Sequence, residues 1–113
     1  RGWVTKRELG LMKPSAFLIN TSRGPIVQEL ALLDALRSGQ IAGAALDVYD
    51  IEPLPVGHPL SSLDNVLLTP HLGYATVDSL RAFYRHAVDN IKAWAAGEPI
   101  NVLNPDALAN ARH

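Results

Sequence analysis

The chain has 113 residues, 48% of them hydrophobic, no cysteine and a formal net charge of −1 at pH 7. That length fits one domain or a piece of one. The charge balance and the scattered basic residues exclude bulk electrostatic binding to nucleic acid or a membrane surface. Without cysteine there is no disulfide framework and no thiolate metal site, which fits a reducing, cytoplasmic setting.

The chain starts at Arg1, not Met, directly before a helix-start signal, so it is expected to be the tail of something longer. No apolar run reaches the roughly 18 residues of a membrane span. In chain order, Thr5-Lys6-Arg7-Glu8 is a capping-box pattern that opens a short helix to about Met12, closed by Lys13-Pro14. Ala16 to Ile19 reads as a first buried strand. It ends in Asn20-Thr21-Ser22-Arg23-Gly24-Pro25, which is turn chemistry around a single cation.

Glu29 to Ser38 reads as a helix with Leu32, Leu33 and Leu36 on its apolar face and Gly39 just past its end. Ala42 to Val48 is small and apolar, as expected of a strand buried on both faces of a parallel sheet. Strand, helix and strand with short connections form a βαβ unit, so the expected fold class is α/β. Leu54 to Asn65 is a loop with a helical turn near Ser61-Ser62. Val66 to Thr69 is a third short strand, halted by Pro70. From about Thr76 to Ala96, Val77, Leu80, Tyr84, Ala87, Val88, Ile91 and Trp94 recur at helical spacing. Gly97 and Pro99 close that helix, and residues 98–113 read as a loosely held tail.

Each strand is followed by a distinct reactive side chain: Arg23, then Glu52, then His71. In an open parallel sheet those exits share one edge, where ligands bind. An imidazole, a carboxylate and a guanidinium meeting there make an acid–base site for an anionic substrate. His58 and His86 lack that placement and read as structural or exposed. Asp47 lies inside an apolar run, so it must be hydrogen-bonded. It either caps nearby backbone or receives a ligand's amide, and its place near the strand's end favours the ligand. A metal site from Asp47, Glu52, His58 and His71 is disfavoured, because no H-x-x-x-H pair occurs. There is no G-x-S-x-G elbow and no G-x-G-x-x-G loop.

Three long stretches, LMKPSAFLINTSRGPIV, ALLDALRSGQIAGAALDVYDIEPLP and HPLSSLDNVLLTPHLGYAT, resemble the D-isomer-specific 2-hydroxyacid dehydrogenases. The resemblance runs from about Arg1 to Gly97 and matches the C-terminal half of that family's nucleotide-binding domain. It implies the second half of a Rossmann-like parallel sheet with flanking helices, incomplete without the upstream half. It also implies hydride transfer between NAD or NADP and a small 2-hydroxy or 2-keto acid. The family's substrate-binding arginine falls on Arg23, its catalytic histidine on His71 and the paired glutamate on Glu52. The aspartate that holds the nicotinamide carboxamide falls on Asp47. Thr21, Ser22, Gly73 and Tyr74, with Arg23 and His71, would line the nicotinamide; no metal is implied.

Two positions depart from the family's pattern. Gln28 stands where the family often has a capping Asp, at a cost of up to about 1 kcal/mol in helix stability. Tyr74 replaces a commonly small residue at the pocket's edge. The family's formate dehydrogenases carry Gln opposite the histidine, so Glu52 argues against that member. Some relatives act instead as NAD-sensing co-repressors, an alternative that the triad does not exclude. Taken alone the chain is expected to be inactive. Its sheet edge and helix stripe call for a partner, either the upstream half or a second copy, and a homodimer is the expected assembly.

Overall fold

A computed structural model describes residues 2–110. Helix α1 (Lys6–Gly10) precedes strand β1 (Phe17–Asn20), helix α2 (Glu29–Arg37), strand β2 (Gly43–Leu46), strand β3 (Val66–Leu68) and helix α3 (Val77–Ala95). Short 3-10 turns lie at Gly24–Ile26, Pro59–Ser62 and Pro105–Asn110. Contacts divide the chain into two units, residues 1–74 and 75–113. The division expected at 97/98 falls within the second unit.

In the first unit, α1 starts at Thr5 as its sequence requires. The Thr5 N–H donates to Glu8 Oε2 at 2.9 Å, and Thr5 Oγ1 accepts from the Arg7 N–H at 3.2 Å. These bonds satisfy donors that a helix start leaves open. Gln28 makes no side-chain cap for α2. Its backbone N–H instead donates to the Val4 carbonyl at 2.8 Å, part of a short parallel bridge between Val4 and Val27. Helix α2 ends in a Schellman arrangement, with Gly39 N–H on Leu36 O and Gln40 N–H on Ala35 O.

The three strands are all parallel in the order β1-β2-β3. The α/β class and the βαβ unit are therefore as the sequence predicts. Leu32, Leu33, Leu36, Ala44 and Leu46 are buried together with Leu9, Ile41 and Leu60, and partly buried Leu18, Val66 and Leu68 pack against them. Each fully buried Leu or Ile contributes about 1.5–3 kcal/mol relative to exposure.

Burial of β1 differs from expectation. Register places Ile19 beside Ala45 and Ala45 beside Leu67. That row lies on the face opposite the core, and Ile19 and Leu67 are 71% and 65% exposed. Only one face of β1 and β3 packs on the core, while β2, between them, reads as buried along most of its length. Apolar runs of three or four residues do not distinguish these two situations.

The second unit contains α3, capped by Thr76 through Ser79 N–H at 3.1 Å and closed by Gly97 in the left-handed region. None of the helix's residues is buried. The segment after it is more structured than the tail expected from sequence. Asn101, also left-handed, returns the chain so that its Nδ2 donates to Asn90 Oδ1 at 2.9 Å. Pro99, Ile100 and Val102 then form a cavity of about 510 Å³ with Ile91 and Trp94. Residues 111–113 lie outside the described residues.

Gly24 sits where a Cβ would fall 2.0 Å from the Tyr49 carbonyl carbon. Gly24→Ala is therefore expected to destabilise the protein by about 1–3 kcal/mol, because the turn after β1 and the loop after β2 must separate. Denaturant unfolding checks this; a wild-type midpoint would contradict the close approach.

Candidate functional site

The sheet's ladder extends just past the strands. Asp47 N–H donates to Asn20 O, and Thr69 N–H to Leu46 O, both at 3.0 Å. The three exits are thereby level, and the loops that follow start from one edge.

At the first exit, Asn20 is 8% exposed and organises the turn. Its Oδ1 accepts from Ser22 N–H at 3.1 Å, and its Nδ2 donates to Arg23 O at 3.0 Å. Thr21, Ser22 and Arg23 are exposed. Arg23 Nη1 donates to its neighbour's carbonyl, Ser22 O, at 2.6 Å. Asn20 was missed as a site residue; its signal is an amide at a strand's end followed by small turn residues.

The loops after β2 and β3 bring Glu52 and His71 together. Glu52 Oε2 meets His71 Nδ1 at 2.7 Å, and Glu52 Oε1 accepts from Tyr49 N–H at 2.9 Å. The bond to His71 and then the Tyr49 amide hold the Glu52 carboxyl below its ordinary value, with the charges of His71 and Arg23 adding to them. Both side chains are about one-third exposed, so the pair is reachable and still partly shielded. His71 engages Glu52 through Nδ1, and among the described residues none bonds its Nε2, which leaves that atom for a ligand. A groove of about 510 Å³ opens beside the pair, lined by Leu54, Leu68 and Pro70 among others.

Tyr49 was not singled out from sequence. Its hydroxyl proton is shared between Leu46 O at 3.0 Å and Thr69 O at 2.8 Å, which joins the second exit to the third. Burial raises its pKa, and the charges of Asp47 and Glu52 raise it further.

Asp47 is 5% exposed. Its Oδ1 accepts from the Thr69 hydroxyl at 2.5 Å and from Leu72 N–H at 2.8 Å, and its Oδ2 accepts from Gly73 N–H at 2.8 Å. The Thr69 hydroxyl first, then the Leu72 and Gly73 amides, hold its pKa below the ordinary aspartate value, against the effect of burial. In this way Asp47 caps the backbone of residues 72 and 73. Tyr74 is half-exposed and meets the His71 ring edge-on at 6.2 Å.

His58 Nδ1 accepts from Leu60 N–H at 3.3 Å and its Nε2 faces Glu29 Oε1 at 3.2 Å, so it caps the Pro59–Ser62 turn. His86 and Asp50 are exposed.

A family model described as the NAD-binding domain of D-isomer-specific 2-hydroxyacid dehydrogenases matches residues 1–73. A glyoxylate reductase of Thermofilum pendens is 45% identical over 106 residues, covering 93% of this chain and 31% of that protein. A glyoxylate/hydroxypyruvate reductase B of Enterobacter agglomerans is 46% identical, covering 93% and 33%. Among solved structures, a putative D-3-phosphoglycerate dehydrogenase from Ralstonia solanacearum superposes with a TM-score of 0.86 at 38% identity, covering 96% of this chain and 32% of that one. An NADPH-dependent glyoxylate/hydroxypyruvate reductase from Sinorhizobium meliloti gives 0.77 at 44% identity, covering 86% and 31%. The chain thus spans about a third of the length of these relatives.

Because the Glu52 pKa is lower folded than unfolded, its stabilising effect is complete above the ordinary glutamate value of 4.5 and is lost as pH falls through the lowered one. The stability difference between wild type and Glu52→Gln should therefore shrink steadily below that value. Unfolding midpoints measured from neutral pH down to about pH 3 test this; a constant gap would contradict it.

Proposed function

The chain belongs to the D-isomer-specific 2-hydroxyacid dehydrogenases, and on that premise we propose that it is the catalytic, nicotinamide-side part of a longer NAD- or NADP-dependent enzyme that reduces a small 2-keto acid. Residues 1–97 would belong to its nucleotide-binding domain and 98–113 to a C-terminal tail. The observation that supports the reading most is the 2.7 Å His71–Glu52 pair, raised from the same sheet edge as Arg23.

The residues on that edge fit a nicotinamide. Thr21 and Ser22 expose their turn beside Arg23. Gly73 keeps the backbone bare where a Cβ would stand 3.1 Å from Asp47 Oδ2. Asp47 Oδ2 accepts from Gly73 N–H, which leaves a lone pair for an amide N–H. Tyr74 would border the ring. When bound, the reduced nicotinamide supplies a hydride to C2 of the keto acid.

Arg23 would pair with the substrate carboxylate and fix the keto group toward the imidazole. With Nδ1–H donated to Glu52, the proton on Nε2 points to the substrate carbonyl oxygen and is transferred as the hydride arrives. His71 finishes as a neutral imidazole, and the product is the 2-hydroxy acid. Glu52 remains ionised throughout and, through its 2.7 Å contact with Nδ1, holds the imidazole with Nε2 toward the substrate. In the same reading the longer protein is a cytoplasmic homodimer, and its upstream half or a second copy covers the exposed apolar residues of the sheet.

In the longer enzyme, His71→Ala is expected to lower turnover about 10²–10⁴-fold, as loss of a general acid does, with cofactor affinity changed only slightly. Glu52→Gln should lower it less, because the imidazole stays in place and loses only its charged partner at Nδ1. Steady-state oxidation of NADH or NADPH with glyoxylate, hydroxypyruvate and other 2-keto acids reads both. No turnover of any of them by wild type, or full turnover by His71→Ala, would overturn the reading.

A further inference from the structure

His71 has φ 57°, in the left-handed region that residues other than glycine rarely adopt. Such a residue turns the amides that follow it toward one side, forming a small concavity that attracts an anion. Here the anion is supplied from within the chain. The Asp47 carboxylate receives the Leu72 and Gly73 amides, both at 2.8 Å. On the other side of His71, the Thr69 hydroxyl donates to Asp47 Oδ1. One carboxylate therefore ties residues 69, 72 and 73, and the histidine lies between them.

Asp47 is itself well anchored. It is 5% exposed, and its own N–H is held by Asn20 O across the sheet. A carboxylate has about four acceptor positions, and three of these are taken by the turn. We infer that Asp47, keyed by Thr69, is a positioning residue for His71: it holds the left-handed turn from which the imidazole reaches both Glu52 and the substrate. This rests on the proposed reductase function and moves the main work of Asp47 from the cofactor to the proton donor.

The two roles separate in kinetics. A positioning role lowers kcat and leaves cofactor binding nearly intact; a carboxamide contact acts first on cofactor affinity. In the longer enzyme, Asp47→Asn should lower kcat about 100-fold, the scale of a small misplacement of a catalytic group. Thr69→Val, which keeps the side chain's size and removes the hydroxyl that donates to Asp47, should lower kcat about tenfold on the same ground. Thr69→Ser should restore it, and cofactor Kd should stay within about twofold throughout. The Asp47→Asn loss should be equally large with the 3-acetylpyridine cofactor analogue, which has no carboxamide N–H to donate.

Amide exchange of the 69–74 segment, followed by mass spectrometry, reads the turn without turnover. It should quicken at least about tenfold in Asp47→Asn and Thr69→Val as the turn opens locally. Unchanged exchange, or an Asp47→Asn defect confined to cofactor Kd and absent with the analogue, would overturn the inference. A wild-type enzyme inactive on every 2-keto acid would overturn the reductase reading, and the exchange comparison would still decide the role of Asp47.

Discussion

Two backbone hydrogen bonds beyond the formal strands, Asp47 N–H to Asn20 O and Thr69 N–H to Leu46 O, set the frame on which the site depends. They keep three parallel strands level at their C-terminal ends. Arg23, Glu52 and His71 then leave that edge by short, braced loops. Asn20 braces the first, Tyr49 joins the second to the third, and Gly24 lets the first pack against the second. Parallel strands suit such a construction because their ends with the same polarity fall together. Had β2 run the other way, Glu52 would depart from the far edge.

The two acids after β2 differ in what satisfies them. Glu52 is partly solvated and holds an imidazole that can gain or lose a proton. Asp47 is nearly enclosed and holds amides and a hydroxyl, none of which titrates near neutrality. One carboxylate thus follows the chemistry and the other stays constant. Tyr49, between them in sequence, gives its N–H to one and has its hydroxyl among the carbonyls near the other. The six residues from Asp47 to Glu52 contain both carboxylates because the chain leaves the ladder at Asp47 and turns before Glu52.

Much of this was legible from local chemistry. Thr5 and Glu8 announce α1, Gly39 and Gly97 mark the ends of α2 and α3, and the apolar runs locate three strands. The shared edge follows from topology once the βαβ unit is recognised. Other features were hidden because they depend on residues distant in sequence. Nothing around Thr69 shows that its hydroxyl meets Asp47, 22 positions earlier. Phe17 and Ile19 look like core residues, and only the register with Ala45 and Leu67 shows which face is exposed. Asp47 had two readings because a buried carboxylate demands donors without saying which.

The backbone of His71 restricts its position twice. At φ 57°, histidine, asparagine and aspartate are tolerated better than most residues, and β-branched ones hardly at all. Under the proposed function, proton transfer then selects one of those few. Glycine would satisfy the backbone alone and release strain on the order of 1–3 kcal/mol. Under the proposed function, stability and turnover are opposed at this residue. In the proposed reductase, selection for thermal resistance alone would therefore tend to erase the imidazole.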